Sequence, residues 1–177
     1  SPDLADLDGD GDYDLIAGSQ INNIQYFENT GDAANPTFSA TPTTPNPFNG
    51  ITPTLNRINP ELVDLDADGD LDLVYGERQL HLIYHENTGT ATNPVFSATP
   101  TTPNPFAGLS FTGSVNTEPH LADLDGDGDY DLVVAADNGQ VLYFRNDGTP
   151  NAPNFTTSPV GPAPFNGLDL GSDGDPF

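Results

Sequence analysis

The residues best suited to chemistry in this chain are carboxylates, set in three near-copies of one loop. ADLDGDGDYDL at 5–15, VDLDADGDLDL at 63–73 and ADLDGDGDYDL at 122–132 all fit D-x-D-x-D-G-D-x-D. The first copy carries Asp6, Asp8, Asp10, Asp12 and Asp14, the second Asp64, Asp66, Asp68, Asp70 and Asp72, and the third Asp123, Asp125, Asp127, Asp129 and Asp131. Five carboxylates so close together repel one another unless a cation sits among them. Oxygen-only ligands select a hard cation, and a flexible loop offering six or seven oxygens suits Ca2+ better than Mg2+. The glycine at the sixth place (Gly11, Gly69, Gly128) permits the positive φ of a sharp turn around an ion. The side chains at positions 1, 3, 5 and 9 are expected on the metal. The residue at position 7 (Asp12, Asp70, Asp129) is expected to add its backbone carbonyl. One Ca2+ per loop makes three per chain.

The plain alternative is a solvated acidic turn, since Asp and Gly are ordinary turn residues. Three copies in one register argue against it. An EF-hand loop begins the same way but needs a bidentate Glu at position 12 and flanking helices. Position 12 here is Ala17, Tyr75 and Val134, and β-like sequence follows, so these are not EF-hands.

The wider composition agrees with metal binding outside the cell. The 27 acidic residues face only Arg57, Arg78 and Arg145, for a net charge of −24. Fifteen of those acids lie in the three loops, so three Ca2+ would bring the total to −18. A chain this acidic, without a basic patch, is a poor partner for nucleic acid or an anionic membrane. No apolar run approaches membrane-spanning length, so no membrane insertion is expected. With no cysteine, disulfides neither staple the fold nor report its compartment. Calcium sites of this type suit the extracellular space, where Ca2+ is abundant enough to fill weak sites.

The loops are positioned by an internal repeat. Pro2, Pro60, Pro119 and Pro176 recur at spacings of 58, 59 and 57 residues. ENTG at 28–31 returns at 86–89 and as RNDG at 145–148. FSATPTTPNPF occurs at 38–48 and 96–106 and reappears as FTTSPVGPAPF at 155–165. Units of 1–58, 59–117 and 118–177 follow, and each reads as short strands. PELVDL (60–65) alternates apolar and polar residues, as a half-buried strand does. The acidic loop is then a hairpin connection into DLIAGS (14–19), DLVYGE (72–77) or DLVVAA (131–136). After a turn at Asn22-Asn23 or Asp137-Asn138-Gly139, the next strand is IQYFEN (24–29), LIYHEN (82–87) or VLYFRN (141–146). A last strand, PTFSAT (36–41) and its equivalents, runs into the proline tract. The fold class is all-β, with four strands per unit, the count of a propeller blade.

The units resemble FG-GAP/VCBS-type repeats, the family that includes the β-propeller of integrin α subunits. The resemblance rests on P-x-L-x-D-L-D-x-D-G-D-x-D-L-(I/V) followed by Y-F-E-N-T-G, and it covers essentially the whole chain. It implies tandem propeller-type blades and a loop that binds Ca2+ and braces a hairpin. Propellers take roughly four to eight blades, and three cannot close a ring alone. The chain begins and ends in one phase of the repeat. It is therefore expected to be part of a longer array, to assemble with further copies of itself, or to stack as an open solenoid or fibre. DLGSDGD (169–175) resembles a fourth loop, but Gly171 replaces an acid and the register is wrong, so no site is expected there.

Other groups point away from catalysis. There is no cysteine and no serine in a nucleophile elbow, and carboxylates committed to Ca2+ cannot donate a proton. His81 and His85 sit four apart, roughly 13 Å along a strand, too far for one ion. His85 takes the place of Phe27 and Phe144, a packed aromatic position, and His120, just before a loop, is expected at the surface or behind the metal ligands. Tyr26, Tyr84 and Tyr143 recur at one strand position, for packing between blades or for sugar stacking. The Thr/Pro tracts read as extended connectors over a sheet edge or as O-glycosylated stalk sequence. Asn154-Phe155-Thr156 matches an N-glycosylation acceptor.

The expected function is an extracellular calcium-binding scaffold or adhesion protein, not an enzyme, with more repeats, a protein or a glycan as partners. The alternatives are a lectin-like, carbohydrate-binding propeller and the non-catalytic part of a larger secreted enzyme.

Overall fold

Three short apolar runs per repeat become three strands, and all nine strands of the described residues are antiparallel to their neighbours. The computed structural model describes residues 1–19, 23–77, 81–111, 117–135, 141–161, 164–165 and 168. The first sheet is β1 (Pro2–Ala5), β2 (Asp14–Gly18) and β3 (Ile24–Phe27), in that order. The second is β4 (Asn59–Val63), β5 (Asp72–Glu77) and β6 (His81–His85). The third is β7 (Glu118–Ala122), β8 (Asp131–Ala135) and β9 (Val141–Phe144). The acidic loops connect the first hairpin of every sheet, as their spacing predicts: Ala5 pairs with Asp14, Val63 with Asp72 and Ala122 with Asp131. The expected turns at Asn22 and 137–139, and the acidic stretch 169–175, lie outside the described residues.

Among the described residues each sheet has three strands, and the expected fourth is not among them. Where the fourth strand was predicted, the chain makes single bridges, Asn29 to Phe38, Asn87 to Phe96 and Asn146 to Phe155. A proline at 36, 94 or 153 removes a ladder donor at the start of each segment. An asparagine side chain then takes the amide that a longer ladder would use. Asn29 Oδ1 accepts from Thr37 N at 2.7 Å, Asn87 Oδ1 from Val95 N at 2.9 Å and Asn146 Oδ1 from Asn154 N at 2.8 Å. No closed propeller is formed among the described residues.

Successive sheets meet through their first strands, β1 beside β4 and β4 beside β7. A first-strand carboxylate bonds across each junction: Leu62 N donates to Asp3 Oδ2 at 2.8 Å, and Leu121 N to Glu61 Oε1 at 2.8 Å. The backbones come close enough to require glycine. A Cβ on Gly18 would lie 2.0 Å from the Ile58 carbonyl oxygen, and one on Gly76 1.9 Å from that of Thr117. The proline tract of each repeat then lays a phenylalanine on the next: Phe48 packs on Phe96 at 5.1 Å between centroids, and Phe106 on Phe155 at 5.0 Å. One apolar core joins repeats 1 and 2 and another joins repeats 2 and 3. Every residue of β5 is buried, because the middle sheet is covered on both faces.

Candidate metal centre

Each acidic loop is curled by its own carboxylates. Gly11 N donates to Asp6 Oδ2, Gly69 N to Asp64 Oδ2 and Gly128 N to Asp123 Oδ2, all at 3.1 Å. Asp12 N donates to Asp10 Oδ1, Asp70 N to Asp68 Oδ1 and Asp129 N to Asp127 Oδ1, also at 3.1 Å. The sixth-place glycines take the expected left-handed turn, with φ of 97°, 98° and 97°. A second left-handed position, unforeseen, lies two residues earlier: Gly9 at 73°, Ala67 at 57° and Gly126 at 79°. Glycine at that place in two loops of three was the available signal.

This curl gathers the side chains at positions 1, 3 and 5. One oxygen each from Asp6, Asp8 and Asp10 lie within 4.8 Å of one another, as do those of Asp64, Asp66 and Asp68 and of Asp123, Asp125 and Asp127. Three converging carboxylate oxygens fit a hard divalent cation. The one ion pair among the described residues is Arg145 with Asp147, outside the loops.

Position 7 places a further buried acid beside each triplet. Asp12, Asp70 and Asp129 are buried, and each leaves its Oδ1 without a hydrogen-bond partner. Their carboxyls are pushed up first by burial and then by the neighbouring loop carboxylates, Asp10, Asp68 and Asp127 foremost. A buried carboxylate with an unpartnered oxygen beside three other acids is a costly arrangement that a bound cation would relieve. Burial followed by the next loop acid also raises Asp66 and Asp125.

Position 9 has a different environment. Asp14, Asp72 and Asp131 stand outside the three-oxygen clusters, and each carboxylate accepts three hydrogen bonds. Asp14 takes Leu7 N at 3.3 Å, Tyr26 Oη at 3.0 Å and Asn29 N at 2.9 Å. Asp72 takes Leu65 N at 3.1 Å, Tyr84 Oη at 3.0 Å and Asn87 N at 2.8 Å. Asp131 takes Leu124 N at 3.3 Å, Tyr143 Oη at 2.9 Å and Asn146 N at 2.9 Å. These residues therefore latch the loop to the third strand and to the asparagine that holds the bridge beyond it. Burial pushes the Asp72 carboxyl up to about 7, against the pull of its three donors.

The recurrent tyrosines belong to this latch. Tyr26, Tyr84 and Tyr143 are buried and commit their hydroxyls to the carboxylates. His85 is fully buried, stacks on Tyr75 at 5.7 Å and places Nδ1 2.9 Å from the Ser97 carbonyl oxygen, as a packed aromatic position would. His81 and His120 are exposed.

A family model described as FG-GAP-like repeat matches the chain twice, over residues 6–75 and 64–134. Each match starts on the first aspartate of one loop and runs through the next loop into the strand behind it. No curated protein matches the chain.

Proposed function

This chain belongs to the FG-GAP-like repeat family, and from that premise we propose that it is an extracellular, non-enzymatic scaffold in which one Ca2+ braces each repeat. The observation that carries the reading is the buried, unpartnered Oδ1 of Asp12, Asp70 and Asp129 beside a carboxylate triplet in all three loops. Asp6, Asp8 and Asp10, Asp64, Asp66 and Asp68, and Asp123, Asp125 and Asp127 would hold the ions, with positions 7 and 9 close behind. The ion cancels loop charge. Position 9 passes the resulting rigidity to the third strand through the tyrosine and asparagine. The acidic surface and the repeat architecture favour adhesion or scaffolding over catalysis.

Calorimetric titration of chelator-treated protein tests this directly. Three Ca2+ per chain are expected, two after Asp68→Ala, with a melting temperature markedly lowered by EDTA. Superimposable melts with and without Ca2+ would sink the reading.

A second reading, carbohydrate binding, is favoured by one cavity. Between repeats 1 and 2 lies a space of about 500 Å3 whose lining includes Asp8, Glu28, Thr43, Thr44 and Asn93. Carboxylate, hydroxyl and amide groups around such a volume suit sugar hydroxyls. A glycan array in calcium separates the readings, since binding to one sugar class selects the lectin.

A further inference from the structure

The first and third acidic loops are identical in sequence, ADLDGDGDYDL at 5–15 and 122–132, so a difference between their ions has to come from outside the loop. One source is the residue just before the latching asparagine. It is Glu28 in repeat 1 and Glu86 in repeat 2, but Arg145 in repeat 3. The fold holds this residue beside the loop. Glu28 N donates to Thr43 Oγ1 at 2.9 Å and Glu86 N to Thr101 Oγ1 at 2.8 Å, while the asparagine that follows each is tied to the carboxylate at position 9. Glu28 and Asp8, at position 3 of the first loop, line the same cavity of about 500 Å3.

In repeats 1 and 2 this residue adds to the negative field of the loop. Glu86 is among the carboxylates that act on Asp70, at position 7 of the second loop. Neither glutamate has a cationic partner among the described residues. In repeat 3 the sign is reversed. Arg145 donates from Nε to Asp147 Oδ1 at 2.6 Å, and Asp125, at position 3 of the third loop, is a further charge acting on it. Asp147 offsets part of the cation, and Thr30 and Thr88 stand in its place in the other repeats. Glu28 with Thr30, or Glu86 with Thr88, sums to −1 beside the loop, whereas Arg145 with Asp147 sums to zero.

We propose that Arg145 makes the third loop the weakest of the three calcium sites, so that the repeats are braced in two stages as Ca2+ rises. The inference rests on the calcium-scaffold reading and adds a regulation to it. One unit of charge near a divalent ion, in a near-aqueous dielectric and partly screened by salt, changes affinity by roughly three- to tenfold. Over an intermediate range of Ca2+ the first two loops are filled and their latches rigid, while the third loop keeps its unbalanced charge. Repeat 3 then stiffens over a higher range, although its loop carries the same ligands as that of repeat 1.

Competition between the 177-residue chain and a chromophoric Ca2+ chelator gives the stepwise binding constants that test this. With statistical factors removed, the last ion is expected to bind roughly three- to tenfold more weakly than the first two. Asp127→Ala, in the third loop, should remove that weak step. Arg145→Gln should close about half of the gap on a logarithmic scale and Arg145→Glu the rest, and raising KCl from about 20 to about 500 mM should narrow it in the parent. A packing role for Arg145 would follow neither the order of charge nor the salt. Three equal ions in the parent, a weak step that survives Arg145→Glu, or loss of a tight step in Asp127→Ala overturns the inference and leaves the calcium reading standing. No Ca2+ bound by any loop overturns both.

Discussion

The Tyr84 hydroxyl donates a 3.0 Å hydrogen bond to Asp72 Oδ2, tying the third strand of the middle sheet to the carboxylate that ends its acidic loop. The bond recurs between Tyr26 and Asp14 and between Tyr143 and Asp131. Tyr84→Phe keeps the ring packing and removes only this donor from a buried acceptor. The expected loss is about 1–3 kcal/mol in a urea melt. Calcium affinity at the second loop should fall with it, because the loop loses an anchor. A melt unchanged from the parent would show that the latch contributes nothing.

Ala67 adopts φ of 57° where the other two loops have glycine. A side chain in the left-handed region costs about 1–2 kcal/mol, part of which glycine returns to the unfolded chain as entropy. Ala67→Gly should therefore stabilise the protein, by about 0.5–1 kcal/mol. The reverse change at the matching place, Gly9→Ala, adds strain and a contact of 2.6 Å with Thr92 Cγ2, so it should destabilise. Denaturation midpoints of the two variants, moving in opposite directions, check both statements.

The close approach of successive repeats gives a sharper test. A Cβ on Gly76 would meet the Thr117 carbonyl oxygen at 1.9 Å, and backbone cannot swing aside as a side chain can. Gly76→Ala should cost about 3 kcal/mol or more by forcing repeats 2 and 3 apart. Gly161→Ala, with nothing within 4 Å of the added atom, serves as the control and should be near neutral.

Glu61 makes the junction between repeats 2 and 3 sensitive to pH. Its Oε1 accepts the Leu121 amide while Oε2 has no partner, and burial pushes the carboxyl up to about 8. The unfolded chain ionises this group near 4.5, so folding binds a proton between these values. Its contribution is complete below pH 4.5 and is lost as pH rises to about 8. Glu61→Gln keeps the acceptor and removes the charge. The variant should match the parent near pH 4 and exceed it by about 2 kcal/mol at pH 9, after allowance for partial exposure. Parallel stability curves would refute the assignment.

Local spacing alone determined the acidic loops, the glycine turn at position 6, the repeat length and the hairpin either side of each loop. These features depend on covalent neighbours and on strand periodicity, which a chain carries whatever surrounds it. The sequence also marked Tyr26, Asn29 and Asp14 as recurrent, without revealing that the three form one latch. That partnership needs backbone fifteen residues away to arrive within 2.9 Å of a carboxylate, and only the paired strands bring it there. Tertiary structure likewise reduced the expected fourth strand to a bridge, because the Asn29 side chain competes for the Thr37 amide. It also gave Gly18, Gly76, Asp3 and Glu61 their roles, which exist only where one repeat faces the next. A pattern along the chain sets what a segment can bind; which segment lies opposite is settled by packing.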